Sequence, residues 1–228
     1  MKLSIIIPAY NEEKTISKVV DKVAKVNIGR TEKEIIIVDD FSKDSTKDVL
    51  DGINRKNVKI FYHRQNRGKG AAVRTGLKHA TGDFVVIQDA DMEYDPNDYP
   101  KLLEPLKEGR ADAVYGSRFL EKHDARYKTY YLGNLMISLF ASILFMKRVT
   151  DVETCYKMLR RDVVRKLDLK ARRFDLEPEI TAKLIKKGYR IIEVSIWYKC
   201  RSFDEGKKIT WKDGVKALYS LLKYRFVD

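Results

Sequence analysis

The chain has 228 residues, 44% hydrophobic and 35% charged, which is enough to bury one sizeable core and excludes a disordered or fibrous polypeptide. A formal net charge of +13 biases the surface toward polyanions such as nucleic acid, anionic lipid or phosphorylated substrates, and also suits a highly charged soluble surface. Two cysteines, Cys155 and Cys200, stand far apart without a CxxC or zinc pattern, so a reducing compartment and structural thiols are expected. No signal peptide is visible, because Met1 to Pro8 reads as a strand.

The N-terminal half alternates strand and helix. Leu3-Ser4-Ile5-Ile6-Ile7, stopped by Pro8, reads as a buried parallel strand. Glu12 to Val26 carries helix-spaced apolar residues at Ile16, Val19, Val20 and Val23. Glu34 to Val38 is a second strand, Asp44 to Ile53 a helix with an acidic N-cap candidate, and Val58 to Tyr62 a third strand. Ala71 to Ala80 is helical, with Gly82 closing it. Phe84 to Ile87 is the fourth strand, Pro96 to Leu106 a helix and Ala113 to Tyr115 a fifth strand. This series predicts an α/β fold, an open and mostly parallel sheet with helices on both faces. Ligands in such sheets bind beyond the carboxyl ends of the strands, where Pro8-Tyr10, Asp39-Asp40 and Asp89-Asp91 all fall.

After Gly116 the alternation breaks. Tyr130 to Met146 is a long apolar stretch, too short for a membrane span of about 20 residues, and reads as a core or membrane-interface helix. Cys155 to Leu159 is a strand candidate, Leu176 to Lys187 a helix and Ile191 to Trp197 an alternating strand. Tyr198 to Lys208 is a polar, basic loop. Trp211 to Phe226 is a basic amphipathic helix, suited either to anionic headgroups or to packing on the core. Linker-like tracts and internal repeats are absent from the sequence, so the second half reads as an elaboration of one domain spanning 1–228. Its parts are a nucleotide-side half at 1–118, an acceptor-side half at 119–210 and the terminal helix at 211–228.

Asp89-Ala90-Asp91 is the main chemical signal. Paired carboxylates leaving a buried strand suit a hard cation such as Mg²⁺ or Mn²⁺, which prefers oxygen ligands shared with substrate phosphates. An isolated Asp-x-Asp is an ordinary turn pattern, since Asp bonds its own backbone there. Its company gives it weight: Ile7-Pro8-Ala9-Tyr10-Asn11-Glu12-Glu13 precedes it, then Val38-Asp39-Asp40-Phe41-Ser42 and Asn66-Arg67-Gly68-Lys69-Gly70. Gly116-Ser117-Arg118, Asp151-Val152-Glu153-Thr154-Cys155-Tyr156-Lys157, Glu177-Pro178-Glu179 and Glu205-Gly206-Lys207-Lys208 follow. Gly68-Lys69-Gly70 lacks the earlier Gly and the following Ser/Thr of a Walker A loop, which sets ATPase chemistry aside.

In this order and spacing the motifs resemble the family 2 glycosyltransferases of the GT-A fold, in particular the polyprenyl-phosphate sugar synthases such as dolichyl-phosphate mannose and glucose synthases. The resemblance implies an inverting transfer of a hexose from a nucleotide sugar to a polyprenyl phosphate, assisted by Mg²⁺ or Mn²⁺. It implies that Pro8, Tyr10 and Glu12 line the nucleotide pocket and that Asp40 accepts from the base, with Asp39 supporting the loop. Lys69, Asp89 and Ala90 fall on the donor side, with Asp89 at the ribose or sugar. Asp91 binds the metal, with Asp89 and Glu93 as further metal-side groups; relatives often carry Gln where Glu93 stands. Arg118 faces the phosphates or the acceptor phosphate, and Arg201 and Lys207 stand near the diphosphate on a basic loop. Catalysis is thereby assigned to Asp91, Arg118 and Arg201.

The physics is consistent with those roles. The leaving diphosphate gains charge, which a cation and arginines stabilise. A carboxylate at Asp40 can only accept, and uracil and guanine each offer an N–H. An ionised phosphate acceptor needs no strong base, in keeping with the isolation of His63, His79 and His123, which read as structural or surface residues. Glu177 and Glu179 read equally as helix N-terminal acids or as acceptor-side groups. The donor stays open among GDP-mannose, UDP-glucose and UDP-N-acetylhexosamine, with the Gly-Lys-Gly stretch favouring UDP sugars by resemblance. The expected location is cytoplasmic, peripheral on the inner face of the cell membrane. Transfer to a soluble acceptor is the rival enzyme reading. A nucleic-acid-binding module is set aside because the basic residues are scattered and carry no recognition signature.

Overall fold

The computed structural model describes residues 1–121, 128–201 and 211–227. In chain order the elements are β1 (Lys2–Ala9), α1 (Ile16–Lys25), β2 (Glu32–Asp39), α2 (Thr46–Asp51), β3 (Val58–Tyr62), α3 (Lys69–His79), β4 (Phe84–Ile87), α4 (Tyr99–Lys107) and β5 (Ala113–Ser117). Then follow α5 (Lys128–Phe145), β6 (Lys157–Arg160), α6 (Arg161–Lys166), α7 (Leu176–Lys186), β7 (Ile191–Ser195) and α8 (Trp211–Phe226). The strands make one mixed sheet in the order β3-β2-β1-β4-β6-β5-β7. All neighbours run parallel except β6, which lies antiparallel to both β4 and β5.

Burial explains the central strands. Ile5, Ile6 and Ile7 of β1 and Ile35, Ile36 and Ile37 of β2 are fully enclosed, as expected where helices cover both faces of a parallel sheet. The stripe Ile16, Val19, Val20 and Val23 of α1 is the buried face of that helix, while charged residues take the other side. Helix α3 lies close on β1 because Gly76 has no side chain. A Cβ there would stand 2.5 Å from Cγ2 of Ile6.

Several boundaries differ from the sequence expectation, three of them by a change in the local structure. Helix α1 begins at Ile16 instead of Glu12, because Asn11 takes a positive φ of 52° and residues 13–15 form a turn. Helix α2 begins at Thr46; Asp44 stands before it, accepting from the Thr46 N–H and hydroxyl. The strand expected from Cys155 begins at Lys157 and runs against its neighbours, followed directly by α6, which the sequence pattern did not indicate.

The Gly76–Ile6 contact gives a stability prediction. Gly76→Ala should lose about 1 kcal/mol, since overpacking costs about 1–3 kcal/mol and the better helix propensity of Ala returns about 1. Urea denaturation measures it, and an unchanged midpoint would show that Ile6 gives way freely.

Candidate active site

The parallel register brings the chemistry to one edge of the sheet. Ala9 pairs with Asp39, so the turns after β1 and β2 leave side by side. Ile6 pairs with Ile87, and the Gln88 N–H donates to the Ile6 carbonyl at 2.9 Å, so Asp89-Ala90-Asp91 leaves β4 next to them. Together these turns border a cavity of about 720 Å³, lined among others by Pro8, Tyr10, Glu12, Asp40, Lys69, Asp89, Ala90, Asp91, Glu93, Arg118 and Arg201. The sequence-predicted residues therefore converge, with two exceptions. Asp39 stands behind the wall, its carboxylate accepting from the N–H and hydroxyl of Ser42, which is a loop-supporting place. Lys207 lies outside the described residues, as does His123.

The β2 end is built around Asp40. Its Oδ1 accepts from the Arg67 N–H at 2.9 Å and lies 2.7 Å from His63 Nδ1, and its Oδ2 accepts from the Gly68 N–H at 2.6 Å. A carboxylate has about four acceptor directions, so one is left for a ligand N–H. His63 Nε2 lies 2.9 Å from the Thr75 hydroxyl, which fixes the ring that holds Asp40. Sequence reading missed His63. Its signal is topological: Tyr62 of β3 pairs with Asp39 of β2, which puts residue 63 beside residue 40. Gly68 allows the surrounding turn, with φ 91° and only 2.3 Å between a notional Cβ and the Arg172 carbonyl oxygen.

The β4 end concentrates charge. Lys69 Nζ lies 2.8 Å from Asp89 Oδ1 and 2.8 Å from Glu177 Oε1, bridging the two acids. Burial works against its charge, but Asp89 and Glu177 hold the Lys69 ammonium well above its ordinary range. Arg201 Nη2 lies 2.7 Å from Asp91 Oδ2, and its Nη1 donates to Glu12 at 3.2 Å and 3.3 Å. Burial, then the neighbouring carboxylates Asp89 and Glu93, push Asp91 up to about 8 against the pull of Arg201.

Asp89, Asp91 and Glu93, the groups expected on the metal side, all border the cavity, and each already has a partner in the chain. Asp89 is turned to Lys69, and Glu93 is held by the chain beyond β7, accepting from the Arg201 N–H at 2.7 Å and the Tyr198 hydroxyl at 3.0 Å. The donor chemistry at Asp91 still fits Mg²⁺ or Mn²⁺, which take one or two carboxylates and complete their shell with water and substrate phosphate. A buried carboxyl with a raised pKa is a group that such a cation would stabilise in its ionised form.

Arg118 is also more committed than expected. Its Nε and Nη2 donate to the two oxygens of fully buried Asp151, both at 2.7 Å, and its backbone N–H donates to the same carboxylate at 3.0 Å. Only the remaining guanidinium hydrogens are left for phosphate. Beyond it lies a buried group that sequence reading did not assemble: Glu153, Lys157 and Glu177. Burial, then the charge of Glu177, raises Glu153 to about 8, and burial lowers Lys157 to about 8 against the pull of the acids around it.

Residues 4–168 match the family model described as Glycosyl transferase family 2. An uncharacterized protein of Methanocaldococcus jannaschii is 30% identical, covering 98% of this chain and 99% of its own length. A dolichol-phosphate mannosyltransferase of Pyrococcus furiosus is also 30% identical over 98% of this chain, which spans 64% of that relative. A dolichyl-phosphate beta-glucosyltransferase of Dictyostelium discoideum is 28% identical over 98% of this chain and 74% of its own. Among solved structures, glucosyl-3-phosphoglycerate synthase of Mycobacterium tuberculosis, crystallised with Mn²⁺, UDP and glucosyl-3-phosphoglycerate, superposes with a TM-score of 0.75 at 21% identity. It covers 100% of this chain and 81% of the other, and the likeness is one of GT-A fold.

The raised Asp91 carboxyl predicts how metal binding depends on pH. Below about 8 a cation at Asp91 must displace a proton. Mn²⁺ affinity should therefore rise by up to about tenfold per pH unit toward that value and level off above it. Electron paramagnetic resonance titration of Mn²⁺ between pH 6 and 9 checks this. A flat profile, or the same profile in Asp91→Asn, would place the ion elsewhere.

Proposed function

The chain belongs to glycosyl transferase family 2, and from that premise we propose that it transfers a hexose from a nucleotide diphosphate sugar to a polyprenyl phosphate, with inversion at the anomeric carbon. The observation that carries the donor half is the order of groups along the sheet edge: Asp40 after β2, Pro8 at the end of β1 with Tyr10 just after it, Asp89 and Asp91 after β4. A base, a ribose and a diphosphate follow one another in the same order. Asp40 receives a base N–H, and Pro8, Tyr10 and Glu12 flank the nucleoside. Asp91 would hold a Mg²⁺ or Mn²⁺ ion, which supplies Lewis-acid neutralisation of the leaving diphosphate.

The chain's own cations complete the charge balance. Arg201 is poised beside Asp91 and can pass from the carboxylates to phosphate oxygens, and Arg118 offers its free hydrogens from a position fixed by Asp151. An ionised phosphate acceptor attacks without a general base, so the site needs alignment and charge stabilisation above all.

The acceptor half rests on α5 and α8. These helices pack on each other and both border the cavity, α5 through Tyr130, Tyr131 and Ile137 and α8 through Asp213 and Gly214. Their outer faces are apolar with matching spacing: Leu132, Met136, Leu139 and Ile143 on α5, and Val215, Tyr219, Leu222 and Phe226 on α8, all exposed. Among the described residues no helix is long and apolar enough to cross a membrane. An exposed apolar face bordered by Lys216, Lys223 and Arg225 suits peripheral contact with anionic lipid, which would bring a lipid phosphate to the mouth of the cavity. The names of the Pyrococcus and Dictyostelium relatives support a dolichyl-type acceptor. The soluble-acceptor reading draws on the name of the Mycobacterium synthase, whose likeness here is of fold.

Incubation with radiolabelled UDP-glucose or GDP-mannose, Mn²⁺ and polyprenyl phosphate in anionic vesicles should move label into the organic phase. Label appearing only on a water-soluble acceptor would favour the rival. Asp91→Ala should cut turnover by about 100-fold or more while the melting transition persists. Undiminished turnover of that variant in EDTA would remove the metal from the scheme.

A further inference from the structure

The base end of the cavity is held more firmly than a single acceptor requires. Asp40 is anchored through its backbone: its N–H donates to the Ala9 carbonyl at 2.8 Å, and its own carbonyl accepts from the Asn66 side-chain amide at 3.2 Å. His63 is placed beside it by the sheet. The His63 N–H donates to the Asp39 carbonyl at 2.9 Å, which continues the β2–β3 ladder and brings the ring against Asp40. Both side chains are enclosed, His63 with 6% and Asp40 with 4% of their surface exposed.

The imidazole is fixed at both nitrogens. Nδ1 lies 2.7 Å from Asp40 Oδ1, and a carboxylate only accepts, so Nδ1 carries the hydrogen. Nε2 lies 2.9 Å from the Thr75 hydroxyl on α3. The turn that supplies the other two donors to Asp40 is locked as well. The Ala71 N–H donates to the Arg172 carbonyl at 3.1 Å, and a Cβ on Gly70 would stand 2.8 Å from the Ala171 carbonyl oxygen, so this segment presses on the start of α3. The Asp40 carboxylate can turn only by breaking its bonds to His63, the Arg67 N–H and the Gly68 N–H.

The acceptor directions that remain decide which base fits. Oδ1 meets the Arg67 N–H and His63, and Oδ2 meets the Gly68 N–H, so the one direction left is on Oδ2. The imide edge of uracil offers a single N–H between two carbonyls. The same edge of guanine offers two neighbouring donors, N1–H and the N2 amine, and a carboxylate satisfies that pair only with both of its oxygens.

We infer that His63 determines base specificity: by occupying Asp40 Oδ1 it leaves room for one base N–H and selects a uridine diphosphate donor over a guanosine diphosphate donor. The inference rests on the nucleotide-sugar reading and adds to it the class of base and the residue that sets it. His63 is a positioning residue that acts through Asp40. A guanine at this end keeps an N–H without an acceptor beside an enclosed acid, and unpaired polar groups of that kind are a strong source of discrimination.

Isothermal titration in Mn²⁺ with UDP, GDP and pyrophosphate tests the assignment. The wild-type chain should bind UDP at least about 10-fold more tightly than GDP, the usual effect of one unpaired buried donor. His63→Leu fills the space without an N–H and frees the carboxylate to turn. It should bring the UDP preference below about threefold while pyrophosphate affinity changes by less than about twofold. His63→Asn, whose amide N–H can stand in for Nδ1–H, should restore the preference. Melting curves establish that each variant is folded. If His63→Leu is not, Thr75→Val, which removes the hold on Nε2, should narrow the preference in the same direction. A wild-type chain that binds GDP as tightly as UDP would overturn the inference while leaving the nucleotide site standing. So would an unchanged preference in the folded variant, equal losses for UDP, GDP and pyrophosphate, or a His63→Asn preference no greater than that of His63→Leu. If neither nucleotide binds more tightly than pyrophosphate, the nucleotide-sugar reading falls and this inference with it.

Discussion

The structure turns on how many carboxylates can be kept in one cleft. Glu12, Asp89, Asp91, Glu93, Glu153 and Glu177 all border the same cavity at the carboxyl edge of the sheet. Unpaired ionised acids in such a place are costly, and they persist only when paired or hydrogen-bonded. The chain meets this with its own cations: Lys69 between Asp89 and Glu177, and Arg201 between Glu12 and Asp91. Arg118 also lines the cavity, and its guanidinium is anchored on fully buried Asp151. An apolar set of similar volume would fold at least as readily, so a cleft of this composition is better accounted for by what it binds than by stability.

This arrangement couples distant parts of the chain. Glu93, two residues past Asp91, holds the segment after β7 through Tyr198, the Arg201 N–H and a backbone bond from the Lys199 N–H to its own carbonyl at 2.9 Å. The same segment delivers the Arg201 guanidinium to Asp91. A cation arriving at Asp91 would compete with Arg201 for the carboxylate, and a diphosphate would compete with the carboxylate for Arg201, so either would act on the chain beyond β7.

Much of the fold was legible because buried parallel strands are continuous apolar runs, and the bounds of β3 and β4 came out as the runs suggested. The direction of β6 was not legible. Lys157-Met158-Leu159-Arg160 has no pattern that separates parallel from antiparallel pairing, and its place between β4 and β5 is set by the whole sheet. Of the candidate site, the residues following β1, β2 and β4 could be read because the strands that carry them could. Pairings across the sequence could not: Arg118 with Asp151, His63 with Asp40 and Lys69 with Glu177 are products of topology. Glu93 shows the limit most clearly. The resemblance set it on the metal side, and nothing in the sequence indicated that its carboxylate also accepts from the Arg201 N–H and the Tyr198 hydroxyl, more than a hundred residues away.

In the proposed donor site the carboxyl ends of β2, β1 and β4 hold the base, nucleoside and diphosphate of one donor in that order. Anomalous diffraction from a crystal soaked with Mn²⁺ and a nucleotide sugar reads this directly. The expected result is an anomalous peak at coordination distance from Asp91, Arg201 moved off that carboxylate, and the base edge against Asp40. A manganese peak away from Asp91, or a nucleotide bound with its base anywhere but the β2 end, would contradict it.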